Sequence, residues 1–176
     1  MGGPLIAVPV SALARWLGCT ESGMVVGDGN VMDDYDRACE VEGLAGVIAV
    51  GEEGSQGLVL GDEPASSCYL PEHQAFVRWL GANCEVDLIA AAEAVLADPT
   101  TVWEECGVWE TDGPAVLMDS VTAGAELGVE YPAGGGLPEQ APVPIRPGRW
   151  AVRAVYASPI EETSVGVIHL LHWPSH

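Results

Sequence analysis

The 176-residue chain carries 26 Asp and Glu against six basic residues, all of them Arg, for a formal net charge of -20. Apolar residues make up 48% and mean hydropathy is +0.22, which excludes a disordered acidic tail, because disordered chains combine high charge with low hydrophobicity. The field of such a chain repels nucleic acid and anionic membrane and favours encounter with a basic partner, and no stretch approaches the roughly 20 apolar residues of a membrane-spanning helix.

The length fits one domain, residues 1–176, with enough material for a sizeable core. Met1-Gly2-Gly3-Pro4-Leu5 lacks the basic lead of a secretory signal, so a cytoplasmic bacterial protein is expected. Leu5 to Val8 predicts a short strand. A short helix follows from Pro9 to Leu17, with the proline near its start and Gly18 past its end, and Leu13, Trp16 and Leu17 share one face. From Thr20 to Asp34 the chain is polar and Gly-rich and reads as a loop. Cys39-Glu40-Val41-Glu42 opens a β-rich stretch, in which Val47–Val50 and Leu58–Leu60 flank a Gly-bounded loop as a hairpin.

Ala75 to Leu80 predicts another strand. Residues 85–97 make the clearest helix, with Asn83 as its cap, Glu85 and Asp87 at its positive end and Pro99 beyond its close. Val102 to Glu110 and Ala115 to Met118 read as strands. Ala133 to Pro147, rich in Pro and Gly, reads as a long surface connection. The chain closes on a hairpin, with Trp150, Val152 and Val155 in one strand and Val165 to Leu171 in the other. Trp16, Trp79 and Trp150 are expected in the core, while Trp103 and Trp109 suit either core or interface.

The expected fold is therefore α+β, mainly antiparallel hairpins with the helix at 85–97 and one or two short ones. A weak internal repeat sets Gly3-Pro4-Leu5-Ile6 against Gly113-Pro114-Ala115-Val116, and Gly57-Leu58-Val59-Leu60 against Gly166-Val167-Ile168, which would make halves 1–100 and 101–176.

Chemical motifs are scarce. Asp28-Gly29-Asn30 begins like a calcium loop, but Met32 and Asp33 stand where a ligand and the turn glycine belong. Five cysteines (19, 39, 68, 84, 106) form no CxxC pair and no disulfide framework. His169 and His172, three apart on a strand, project to opposite faces and do not chelate by spacing alone. No GxSxG, HExxH, P-loop or GxGxxG pattern occurs, and Glu104-Glu105 and Glu161-Glu162 are adjacent pairs that a strand splits between its faces. No catalytic residue, metal or cofactor is expected.

What stands out are carboxylates in contact positions. Asp33, Asp34 and Asp36 lie in the first acidic loop, Asp36-Arg37 forms a weaker candidate pair in which Arg37 is alternatively a structural pin through a carboxylate, and Asp62 and Glu63 sit at the rim of the first hairpin before Pro64. Such held anions engage a partner's Arg or Lys at low entropic cost.

An ordered set of segments carries a family resemblance. Gly2-Gly3-Pro4-Leu5-Ile6, Trp16, Asp34-Tyr35-Asp36-Arg37-Ala38-Cys39, the run Gly57 to Pro64, Phe76-Val77-Arg78-Trp79 and Pro147-Gly148-Arg149-Trp150-Ala151-Val152 together resemble immunity protein 21 of the bacterial polymorphic toxin systems. The resemblance implies a non-catalytic protein that binds and neutralises a cognate toxin domain. It supplies no catalytic residues. A basic toxin, a nuclease among the candidates, would suit the charge. The rival expectation is a small-ligand or metal-binding acidic domain.

Overall fold

Alternation along the strands decides the layering. In β1 (Leu5–Pro9), Ala7 belongs to one buried cluster while Ile6 and Val8 belong to another, so the strand has a layer on each side. The computed structural model describes residues 2–20, 32–61 and 64–174, and among them ten strands form two five-stranded antiparallel sheets. In the first sheet β2 (Ala45–Val50), β3 (Ser55–Leu60), β7 (Ala115–Asp119) and β8 (Gln140–Val143) flank β1 in the order β2-β3-β1-β7-β8. In the second, β4 (Ser67–Leu70), β5 (Ala75–Gly81), β6 (Glu104–Thr111), β9 (Gly148–Ile160) and β10 (Thr163–Trp173) run β4-β5-β10-β9-β6. The α+β class with antiparallel hairpins is thus the observed one.

The sheets face each other across a central core of Ala7, Leu58, Leu60 and Leu117 from one and Phe76, Trp109, Trp150, Val152, Ile168 and Leu170 from the other. Each fully buried Leu, Ile or Phe there contributes about 1.5–3 kcal/mol. At the sides β2 lies against β6 and β4 against β8. The outer face of the first sheet is covered by a 3-10 turn at Val10–Arg15 and by α1 (Asp34–Cys39), around Ile6, Val8, Trp16, Val59 and Met118. The outer face of the second is covered by α2 (Glu85–Ala97), whose Leu88, Ala91, Ala92 and Val95 pack on Ala75, Val77, Val165 and Val167. The result is four layers with three apolar seams.

Several expectations need correction. Cys39 closes α1 rather than opening a strand, and β2 starts only at Ala45. The N-cap of α2 is Cys84, in extended conformation and without a side-chain cap, so Asn83 lies one residue too early. The Pro/Gly-rich stretch 133–147 contains β8, and its Val143 and Ile145 reach the central core. Pro142 is tolerated because β8 is an edge strand, where a missing N–H breaks no central ladder. Trp79 is 37% exposed because β5 runs past the core over its last three residues. Trp16, Trp109 and Trp150 are fully buried. β1 and β7, which carry the first pair of repeated segments, are neighbours in one sheet, whereas Leu58–Leu60 and Val167–Ile168 lie in different sheets.

Two ends of the sandwich matter below. At one, Leu5 pairs with both Leu60 and Asp119, and Gly61 follows β3. There Arg78, fully buried, crosses between the sheets: its Nη1 donates to the Gly61 carbonyl at 2.5 Å and to the Tyr156 hydroxyl. At the other end Pro9, the Gly51–Gly54 turn and Gly148 come together.

Candidate functional site

The acidic run at Asp33 is largely internal wiring. Asp33 is the N-cap of α1: its carboxylate accepts the Asp36 N–H at 2.8 Å and the Thr20 N–H at 2.9 Å, while the Asp36 carboxylate accepts the Asp33 N–H at 3.2 Å. Asp33 is only 7% exposed. Burial raises its pKa, but the N–H donors of Thr20 and Asp36 and the Cys19 thiol outweigh that, and the net result is a value below the ordinary one. Asp34 accepts the Leu17 N–H at 2.7 Å and pairs with Arg37, whose Nη1 donates to the Ala49 carbonyl at 2.9 Å. Arg37 therefore pins α1 to β2. Of the other carboxylates named from the sequence, Asp62 and Glu63 lie outside the described residues, as do Asp28 to Val31 of the calcium-like pattern.

A large concavity lies at the Gly61 end. An open groove of about 820 Å³ runs between the starts of β4 and β8, the edge strands of the two sheets. Gly2, Gly3 and Asp119 line it from the first sheet, Pro64 to Ser67 from the approach to β4, and Tyr131, Leu137 and Glu139 from the connection into β8. Among its described lining residues there is no Arg, Lys or His. Asp119 Oδ1 holds the rim in place by accepting the N–H groups of Gly3 at 3.1 Å and Val121 at 3.0 Å. Sequence reasoning missed this wall. The Gly and Pro of residues 132–138 signalled a connection, but nothing local told which strand edges it would lie beside.

The remaining arginines sit elsewhere. Arg15 pairs with Glu53 and Arg149 with Glu110, each at 2.8 Å, at the Gly148 end. On the outer face of the second sheet Arg153 stacks over Trp103, 4.3 Å from the ring centroid, and donates to His169 Nδ1 at 3.2 Å. Burial and the Arg153 charge lower the His169 pKa to about 4, so the ring is a neutral acceptor. His172 faces the other way, edge-on to Trp150 at 5.2 Å, as alternation requires.

Three of the cysteine thiols are shifted away from activation. Burial, then the Glu104 charge, pushes the Cys106 thiol up to about 11, and burial likewise raises Cys68 and Cys19, opposite to what thiolate activation requires. Among the described residues no group of three or more His, Cys, Asp or Glu is placed to hold a metal ion, and no helix is long and apolar enough to cross a membrane.

The chain is thus a two-sheet α+β sandwich with an open groove lined by Asp119 and Glu139, and with Asp33 and Asp34 engaged in structural hydrogen bonds. Residues 1–163 match the family model of immunity protein 21, and the chain belongs to that family. Neither the curated proteins nor the solved structures contain a match to it.

Proposed function

We propose that this protein binds a cognate toxin domain of a bacterial polymorphic toxin system in the cytoplasm and neutralises it by direct contact, without catalysis. The match of residues 1–163 to immunity protein 21 carries this reading. The net charge of -20 supports a basic toxin face, because opposite fields steer association and compete with anionic substrates of a nuclease. Asp62 and Glu63 are assigned to the contact as acidic neighbours, in sequence, of Pro64 at the groove. Asp33, Asp34 and Asp36 contribute through their charge more than by touch, since their oxygens already hold α1 and the chain at Leu17 and Thr20.

The test is co-purification with the toxin encoded by the neighbouring gene, at low and high salt, together with rescue of cells expressing that toxin. A one-to-one complex that weakens with salt is expected. Absence of both complex and rescue overturns the proposal, and site-specific heat on titration with Ca²⁺ or Zn²⁺ would then favour a metal-binding domain.

A further inference from the structure

We infer that the groove at the Gly61 end seats a basic, extended segment of the toxin; this rests on the immunity reading and adds to it the place of contact. Three independent features of the molecule converge there. The first is shape. An open groove of about 820 Å³ is large enough to take several side chains of a chain segment, and Ser67 of β4 and Gln140 and Ala141 of β8 are among its lining residues. β4 and β8 are the outermost strands of their sheets, so an extended segment in the groove would lie beside their first residues.

The second feature is the composition of the rim. Tyr131 is 48% exposed and Leu137 54% exposed, both on one wall. An aromatic and an aliphatic side chain beside a concavity are the anchors from which interface cores are built.

The third is charge. Asp119 and Glu139 line the groove, and among the described residues no ion pair neutralises either. The arginine at this end, Arg78, is fully buried, whereas Arg15 and Arg149 sit in ion pairs at the opposite end. The groove thus presents two carboxylates and, among its described lining residues, no basic side chain. Anionic occupants are repelled, and Lys- or Arg-bearing chain is drawn in.

The experiment measures the dissociation constant of the purified full-length protein for the purified toxin. Glu139→Lys and Leu137→Arg alter exposed side chains of the groove, Glu139→Gln removes the charge without reversing it, and Glu72→Lys places the same reversal on the turn between β4 and β5, away from the Gly61 end. Expected are at least tenfold weaker binding for Glu139→Lys and Leu137→Arg, a smaller loss for Glu139→Gln with a shallower salt dependence, and less than a twofold change for Glu72→Lys, all with unaltered melting. Wild-type affinity in the groove variants overturns the groove while leaving the immunity reading intact, and so does an equal loss for Glu72→Lys. Self-association of the free protein that Leu137→Arg abolishes assigns the groove to a second copy and also overturns it. If wild-type protein fails to bind the toxin, both readings fall.

Discussion

Asp33 and Asp36 cap one another across the first turn of α1, each carboxylate accepting the other's backbone N–H. Two orphan donors at the helix start are satisfied by this reciprocity, in a six-residue helix too short to hold itself together. Replacing Asp33 with Ala is therefore expected to cost about 1 kcal/mol. Asp33→Asn, which keeps an acceptor, should cost less. Because the folded pKa of Asp33 is lowered, its contribution is present above the unfolded value of about 3.9 and is lost as pH falls through the folded value. Urea titrations of wild type and Asp33→Asn across acid pH would check this: the difference between them should shrink toward low pH.

Arg78 and Tyr156 make a second, graded prediction. The guanidinium, buried between sheets, donates to the Gly61 carbonyl and to the Tyr156 hydroxyl. Removing a buried charged donor strands its acceptors as well as losing the bond, so Arg78→Leu should cost about 3 kcal/mol or more. Tyr156→Phe leaves the Arg78–Gly61 bond in place and should cost about 1 kcal/mol. Chemical denaturation should return that order. Equal losses would mean that the Arg78–Gly61 bond adds nothing beyond the contact that Arg78 shares with Tyr156.

How much of this was legible beforehand depends on the residue. Leu5–Val8, Val47–Val50, Ala115–Met118 and the helix 85–97 announced themselves, because their apolar residues are contiguous or regularly spaced and their boundaries carry Gly, Pro or acidic residues. α1 did not: Asp34-Tyr35-Asp36-Arg37-Ala38-Cys39 has no apolar period, and its signal is the Asp-x-x-Asp cap, a variant of the Ser/Thr-x-x-Glu/Gln box. β4 and β8, four residues each, have too little length for a pattern; β4 pairs with β5 across a short turn, while β8 returns to β7 only after the connection 120–139. The groove takes only Ser67, Gln140 and Ala141 from those two strands and much of its lining from connections, so the site was the part least visible. The acidic positions could be named, but which of them already had backbone donors to satisfy is a tertiary fact.

The tip of the last hairpin offers a stability gain. Glu162 has φ 59, a left-handed conformation that L side chains adopt at a cost and glycine adopts freely. The neighbouring strands also slip register at Ser164, on the β5 side and on the β9 side, so the tip departs from a regular ladder. Glu162→Gly should raise stability by about 0.5–1 kcal/mol, the relieved strain exceeding the added entropy of the unfolded chain. Glu162→Ala keeps the Cβ and should show little of that gain. Paired melting curves of the two variants separate backbone relief from loss of a charge.

His169 provides the pH prediction. Its ring accepts from Arg153 beside Trp103, and burial followed by the Arg153 charge sets its pKa at about 4, against about 6.5 in the unfolded chain. Between those values the unfolded chain binds the proton and the folded one does not, so stability rises with pH across this interval. The contribution is whole above about pH 6.5 and is lost as pH falls toward 4. His169→Gln keeps a side-chain acceptor for Arg153 without titrating, and should flatten the pH dependence of unfolding in that window while leaving stability at pH 7.5 within about 1 kcal/mol of wild type. NMR titration of the His169 ring gives the direct check: a midpoint near 6.5 would show that Arg153 and Trp103 do not hold the imidazole neutral, and the slope between pH 4 and 6.5 would then have to come from the carboxylates.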